Sequence, residues 1–264
     1  MDLQLKGKTA LVSGSTAGIG LAIADVLAAE GAQVIINGRT GVRVEEALRA
    51  IRSHTYDADV RGIAADLATA KGCEELLAAL PAVDILVNNL GIFEPKPFAE
   101  ISDSDWLRFF EANVLSGVRL SRHYLPRMLS AGWGRVIFIS SESAINIPAE
   151  MIHYGMTKTA QVAVARGLAE MTKGTAVTVN SVLAGPTRSE GVETFLKQIA
   201  GAKGIGVADV EKEFFANIRP TSLLHRFEEP AEIAHVVAFV ASPRAAAING
   251  AAVRAEGGVV QAAL

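Results

Sequence analysis

Seven short runs of β-branched and other apolar residues punctuate this chain: Thr9 to Val12, Val34 to Ile36, Val60 to Ala64, Asp84 to Asn88, Arg135 to Ser140, Ala176 to Val182 and Ala251 to Arg254. Between them, around residues 18–30, 42–53, 69–80, 102–130, 152–173 and 229–241, apolar positions recur with helical spacing. Strand and helix taking turns in this way predict a parallel sheet covered by helices on both faces. The right-handed crossover rule then selects an α/β doubly wound sheet, a three-layer α/β/α arrangement. The chain has 264 residues and lacks repeats, low-complexity segments and Pro/Gly/Ser linkers, so it reads as one domain over 1–264.

One stretch breaks the rhythm. From Ser189 to Pro230 there is no strand signal, and Gly201-Ala202-Lys203-Gly204-Ile205-Gly206 separates two helical patterns. An insertion of this length after the sixth strand falls at the edge where ligands bind in such sheets. It is read as a helical substrate lid covering about residues 189–230.

Composition narrows the partners. With 25 basic against 28 acidic side chains the net charge is −3, which argues against nucleic acid and against an anionic membrane surface. The longest uncharged stretch, Thr9 to Ala24, contains Gly14, Gly18, Gly20 and several hydroxyls and is no membrane helix. Cys73 is the only cysteine, and Met1 to Lys6 lacks the basic start and apolar run of a signal peptide. A cytoplasmic protein without internal disulfides is expected, with Cys73 as a packing residue.

Ser13-Gly14-Ser15-Thr16-Ala17-Gly18-Ile19-Gly20 follows the first strand and opens the first helix. Glycines at this place allow a tight turn, close backbone approach to a pyrophosphate, and helix N-terminal amides aimed at its charge. Gly14, Ser15, Thr16, Gly18, Ile19 and Gly20 are therefore candidate cofactor contacts. The second strand leads into Asn37-Gly38-Arg39-Thr40, with no acid for a ribose 2′-hydroxyl. Arg39 can instead pair with a 2′-phosphate, which favours NADP(H) over NAD(H); its plainer reading is a solvated charge. Asp66, beside Leu67, either accepts from an adenine amino group or belongs to the N-cap region of the next helix.

Tyr154 and Lys158 stand four apart in a helical pattern and so share a face. A neighbouring ammonium is expected to lower the tyrosine pKa, making the phenol usable as acid or base. Ser141, at the end of the fifth strand, can donate to a substrate oxygen where charge develops, and Asn113 has the character to hold a water behind the lysine. Ile92, Phe93, Glu142, Ile145, Ile147, Met151 and Phe195 are expected near the substrate, whose apolar surroundings suit an organic ketone or secondary alcohol. His123 and His153 lack neighbours that would make a metal site, and Trp106 and Trp133 read as packing anchors.

With these residues in view, the chain resembles the short-chain dehydrogenase/reductase family over essentially its whole length. The family's glycine motif is Ser13 to Gly20 here, with serine for the usual leading threonine, and its Asn-Asn-Ala-Gly element is Asn88-Asn89-Leu90-Gly91. The resemblance implies a Rossmann fold and an NAD(P)-dependent oxidoreductase acting on carbonyl or alcohol groups of a small molecule. It implies that Asn113, Ser141, Tyr154 and Lys158 form the catalytic tetrad, with Tyr154 and Lys158 also at the cofactor. It further implies that Asp66, Leu67, Asn89, Gly91, Gly185 and Thr187 contact the cofactor, and that the protein is a homotetramer, to which the tail Val259 to Leu264 is expected to contribute. Two departures stand out: the family's Pro-Gly reads Ala184-Gly185-Pro186, with Ser189 at the motif's threonine, and its terminal Asp-Gly-Gly reads Glu256-Gly257-Gly258. A sensor or scaffold on the same fold is the alternative, disfavoured by retention of all four reacting side chains.

Overall fold

Side chains alternate across each strand, and here both faces are apolar. In β1 (Thr9–Val12), Ala10 and Val12 enter one core while Leu11 enters the other. The same division separates Val34 and Ile36 from Ile35 in β2 (Gln33–Gly38), and Ile85 and Val87 from Leu86 in β4 (Ile85–Asn88). A strand buried on both sides must be covered on both sides, and the crossover helices do this. The computed structural model describes residues 1–263, and Leu264, the last residue of the expected interface tail, lies outside the described residues.

Together with β3 (Val60–Ala64), β5 (Trp133–Ser141), β6 (Ala176–Ala184) and β7 (Ala252–Ala255), these strands form one parallel sheet in the order β3-β2-β1-β4-β5-β6-β7. Helices α1 (Gly18–Ala29), α2 (Gly41–His54) and α9 (Pro230–Ala241) cover one face. Helices α3 (Ala70–Ala79), α5 (Ser116–Ala131) and α6 (Ile152–Glu170) cover the other. The doubly wound expectation holds. Strand order reverses between β1 and β4, which opens a crevice at their carboxyl ends.

Three details depart from the sequence reading. The expected long helix over 102–130 is divided into α4 (Asp103–Phe110), a π-helical turn (Glu111–Leu115) and α5, and the widened turn carries Asn113. Residues 189–230 hold α7 (Glu190–Lys203) and α8 (Val207–Asn217), which share a small core of Leu196, Ala200, Val210, Phe215 and Phe227, separate from the two main ones. Val259 and Val260 are buried within this chain, so these two tail residues pack inward instead of facing a partner. Among the described residues, no helix is long and apolar enough to cross a membrane.

Candidate active site

The crevice begins at the glycine turn. Gly14 and Gly18 have φ of 61° and 55°, left-handed values that a side chain disfavours. At Gly20 a Cβ would lie 2.4 Å from Asn89 Nδ2 and 2.6 Å from Gly14 O, so the helix can approach the strand only without one. Ala17 precedes α1 and supplies no side-chain cap, which leaves the first amides of the helix unpaired by a side chain. Such an end suits a pyrophosphate, and no side chain of Gly14 or Gly18 stands in the way. Ile19 and Gly91 border the same cavity.

Other candidates at this end fall into two groups. The Ser15 hydroxyl donates to Val12 O at 2.7 Å and its amide to Asn37 O at 2.8 Å, so both groups are used internally. Contrary to expectation, Ser15 is a brace between strands and presents neither group to a phosphate. Asn37 also turns inward, donating to Ile63 O and Ala65 O and accepting from Gly14 N. Asn89 braces the turn through Nδ2 contacts to Ser13 O and Gly14 O. Leu67 is buried in the core, where its carbonyl accepts from the Cys73 thiol. Burial pushes that thiol's pKa up, in keeping with a packing role. Exposed Asp66 accepts from Ala68 N at 3.2 Å, three residues before the actual N-cap, Thr69. Arg39 is exposed just beyond β2, and Thr16 packs its methyl against Gly38, where a Cβ would sit 2.4 Å away. An acid therefore has no room at Gly38.

Ser141 ends β5, and Tyr154 and Lys158 project from α6 into one wall of a cavity of about 460 Å³. The Ser141 hydroxyl accepts from Ser143 N at 3.1 Å, which fixes its rotamer. Burial pushes Tyr154 up to about 12; hydrogen bonding by Ser141 and the charge of Arg219 pull it back, and Glu142 adds to the rise. This direction is opposite to the one expected from a neighbouring ammonium. The reason is desolvation, which also drives Lys158 down to about 8 and weakens its hold on the phenolate. Lys158 Nζ lies 5.5 Å from the centre of the Tyr154 ring.

Asn113 is placed behind Lys158, and both atoms of its amide are hydrogen-bonded within the protein. Its Oδ1 accepts from Ile92 N at 2.7 Å, and Nδ2 donates to Ile92 O and Thr157 Oγ1. Its backbone oxygen accepts from Gln161 Nε2 at 2.6 Å, and Gln161 Oε1 accepts from Lys158 at 3.2 Å. Gln161, a side chain that the sequence reading passed over, thus bridges the Asn113 backbone to Lys158. Three residues beyond Lys158 on one helix, Gln161 shares its face, and that spacing was the available signal.

The loop after β6 is fixed by a second carboxylate. Gly185 donates its amide to Ala255 O and to Glu228 Oε2, both at 3.1 Å, and a Cβ there would meet the Glu256 backbone at 2.8 Å. Thr187 turns its hydroxyl back to Gly185 O at 2.9 Å and pairs with Glu228 in an isolated parallel bridge. Ser189 caps α7, accepting from Val192 N. Glu256 stays at the sheet end, paired with Arg254 at 2.9 Å.

Ile92, Phe93, Met151 and Phe195 line the cavity as expected; Ile145 and Ile147 do not and are about half exposed, at 48% and 49%. The 189–230 segment adds Val192, Phe214, Ile218, Arg219 and Phe227. Arg219 was not foreseen. It pairs with Glu142 at 2.7 Å and reaches Glu150 at 3.3 Å, tying the segment to the loop that carries Ser141. Among the described residues no cluster suited to a metal ion occurs, and His153 packs against Phe109 with ring centres 4.0 Å apart.

The chain as a whole is similar to known proteins. Over 261 residues the chain is 52% identical to the uncharacterized oxidoreductase YvaG of Bacillus subtilis (strain 168), covering 99% of each. It is 31% identical to 3-oxoacyl-[acyl-carrier-protein] reductase FabG of Aquifex aeolicus (strain VF5), covering 98% of this chain and 100% of that one. The solved L-sorbose reductase of Gluconobacter frateurii, complexed with NADPH and L-sorbose, superposes with a TM-score of 0.92 at 29% identity, covering 99% and 100%. The family model for short chain dehydrogenase matches residues 8–213. With that match spanning most of the sheet and both halves of the crevice, the chain belongs to the short-chain dehydrogenases, oxidoreductases that bind a nicotinamide cofactor.

Proposed function

We propose that this oxidoreductase uses NADP(H) to interconvert a neutral, largely apolar ketone or aldehyde and the corresponding alcohol. The observation that carries the reading is the single cavity that joins Tyr154, Ser141 and Lys158 to the uncapped start of α1. The charged side chains lent to its substrate end, Glu142, Glu150 and Arg219, are paired with one another, which favours uncharged substrates. Arg39, exposed beside a Gly38 that cannot be replaced by an acid, supports the phosphorylated cofactor. The known structure with NADPH and L-sorbose is consistent with this choice.

In this reading the bound cofactor supplies or accepts the hydride. Ser141 orients the substrate oxygen, and Tyr154 donates the proton to it in reduction or removes it in oxidation. Lys158 stabilises the tyrosinate by its charge and holds the cofactor ribose. Asn113 fixes the backbone of Ile92 on the opposite wall. The glycines of the turn, with Thr16, Ile19, Asn89, Gly91, Asp66, Leu67, Gly185 and Thr187, shape the cofactor's bed. Residues 189–230 close over the substrate as a lid. The enzyme is taken to be a cytoplasmic homotetramer, a state that sedimentation checks.

The test is reduction of a panel of neutral ketones and aldehydes with NADPH and with NADH, followed at the nicotinamide absorbance. Turnover with NADPH, abolished in Tyr154→Phe with NADPH affinity kept, is the expected outcome. Tight NADPH binding with no turnover across the panel would overturn it in favour of a sensor.

A further inference from the structure

Behind Lys158 the protein is closed to the outside. Gln161 is 1% exposed and Lys158 5%. The ammonium donates to Ile139 O at 2.9 Å and to Gln161 Oε1 at 3.2 Å, so two of its three protons point into the protein and the third is left for the cavity. The other end of the same amide donates to Asn113 O at 2.6 Å. The Asn113 side chain is itself held by Ile92 and Thr157. A carboxamide thus stands between the π-helical turn and the lysine, donating at one end and accepting at the other as a bridging water would.

The two bridges differ in chemistry. A water can exchange, rotate and pass a proton along, whereas a carboxamide with both ends engaged passes none at neutral pH. From this geometry we infer that Gln161 is a positioning residue that pins the Lys158 ammonium and seals the rear of the site against proton traffic. This rests on the proposed roles of Tyr154 and Lys158. When Tyr154 gives its proton to a carbonyl oxygen, the O–H bond of the phenol breaks and that of the product alcohol forms. The tyrosinate then takes a proton from water on the cavity side, leaving hydroxide to solvent, and nothing crosses behind Lys158. An acceptor on the ammonium also favours its charged form, so Gln161 keeps Lys158 protonated against the burial that lowers its pKa.

Three variants test this: Gln161→Leu, Gln161→Ala and Gln161→Glu. The titration of Lys158 is read from the carbon-13 shift of its Cε in the protein without cofactor. NADPH affinity against pH is read by fluorescence. Leucine fills the place without an acceptor and should lower the Lys158 midpoint by about one pH unit, with the alkaline loss of NADPH affinity moving alongside. Glutamate, a charged acceptor, should raise the midpoint. Alanine opens a hole bordered by Lys158 Nζ and Asn113 O, the two polar partners a water needs. It should therefore lie nearer wild type than leucine does, the reverse of an order set by lost volume.

Coincident midpoints in all variants would overturn the inference, as would alanine proving worse than leucine. Should Gln161→Leu fail to fold, the opposite displacement of alanine and glutamate from wild type decides the matter. Tyr154→Phe is run in parallel on the panel: activity in that variant sinks the assignment of the acid, while its loss with unshifted Lys158 midpoints sinks only the role of Gln161.

Discussion

Arg219 offers the sharpest test of the lid. Its Nε lies 2.7 Å from Glu142 Oε1, and the two side chains are only 11% and 4% exposed. The other carboxylate oxygen, Glu142 Oε2, is buried with no partner among the described residues. Arg219→Ala would strand this charge against the cavity wall. Breaking a buried pair costs about 3–5 kcal/mol. Because Glu142 can recover part of that by taking up a proton or by reaching solvent as the lid lifts, we expect about 2–3 kcal/mol, or roughly 30- to 150-fold in the open-to-closed ratio. The loss falls on the docked lid, since Arg219 departs with α8 when the segment opens while Glu142 remains at the end of β5. Hydrogen exchange should show amides of α7 and α8 losing protection by that factor while β5 keeps its own. Adding Glu142→Gln to Arg219→Ala should restore most of the protection, because a neutral amide leaves no charge to strand. Unchanged protection of α7 and α8, or failure of the double variant to recover, would refute the latch.

Three further outcomes follow from the same contacts. Arg39→Ala should weaken NADPH binding by roughly 10- to 150-fold, the worth of a charge-assisted pair of about 1.5–3 kcal/mol, with little change for NADH; equal losses for both cofactors would remove Arg39 from the 2′-phosphate. Glu228, 4% exposed, is pushed from 4.5 up to about 7, chiefly by burial. Between those values the folded state binds more protons than the unfolded, so stability is greatest below 4.5 and falls as pH rises through 7. Glu228→Gln still accepts from Gly185 and should remove that slope, gaining up to about 3 kcal/mol at pH 8 in denaturant melts. Arg135, 1% exposed in β5, donates to Gly134 O, Ala176 O and Ser242 O. Arg135→Ala should cost about 3–5 kcal/mol, and Arg135→Met, which refills the volume, clearly less; equal costs would locate the stability in the hydrogen bonds alone.

The sheet was legible because strands buried on both faces carry little but apolar residues, as in Val34-Ile35-Ile36, and helices intervene each time. The glycine turn was legible because Gly20 has no room for a Cβ, and that constraint is written in one position. Contacts that depend on tertiary direction were not. Nothing in the local sequence says that Ser15 turns its hydroxyl into the strand or that Ile145 and Ile147 stay out of the cavity lining. Arg219 and Glu142 are separated by 77 positions, so their pairing has no periodicity to betray it. The tyrosine direction was misjudged for a different reason. Four residues of spacing report that a lysine is near, yet the balance between its charge and the lost hydration depends on burial of both groups.

That balance bears on the pH dependence of the proposed reaction. A phenol at about 12 is ionised in roughly one molecule in 10⁵ at pH 7. As a proton donor to a carbonyl oxygen Tyr154 is therefore ready in nearly every molecule, whereas as a base toward an alcohol it must first be deprotonated at a cost of about 7 kcal/mol. Glu142 lies on the unfavourable side of that cost and Arg219 on the favourable side, so the lid that brings Arg219 also eases ionisation of the tyrosine. Closure and proton chemistry are in this way coupled through one ion pair. Arg219→Ala should then displace the rising limb of the pH profile for alcohol oxidation upward, beyond any shared loss of rate from a loosened lid. Both directions slowed with an unmoved pH profile would separate the latch from the electrostatics of Tyr154.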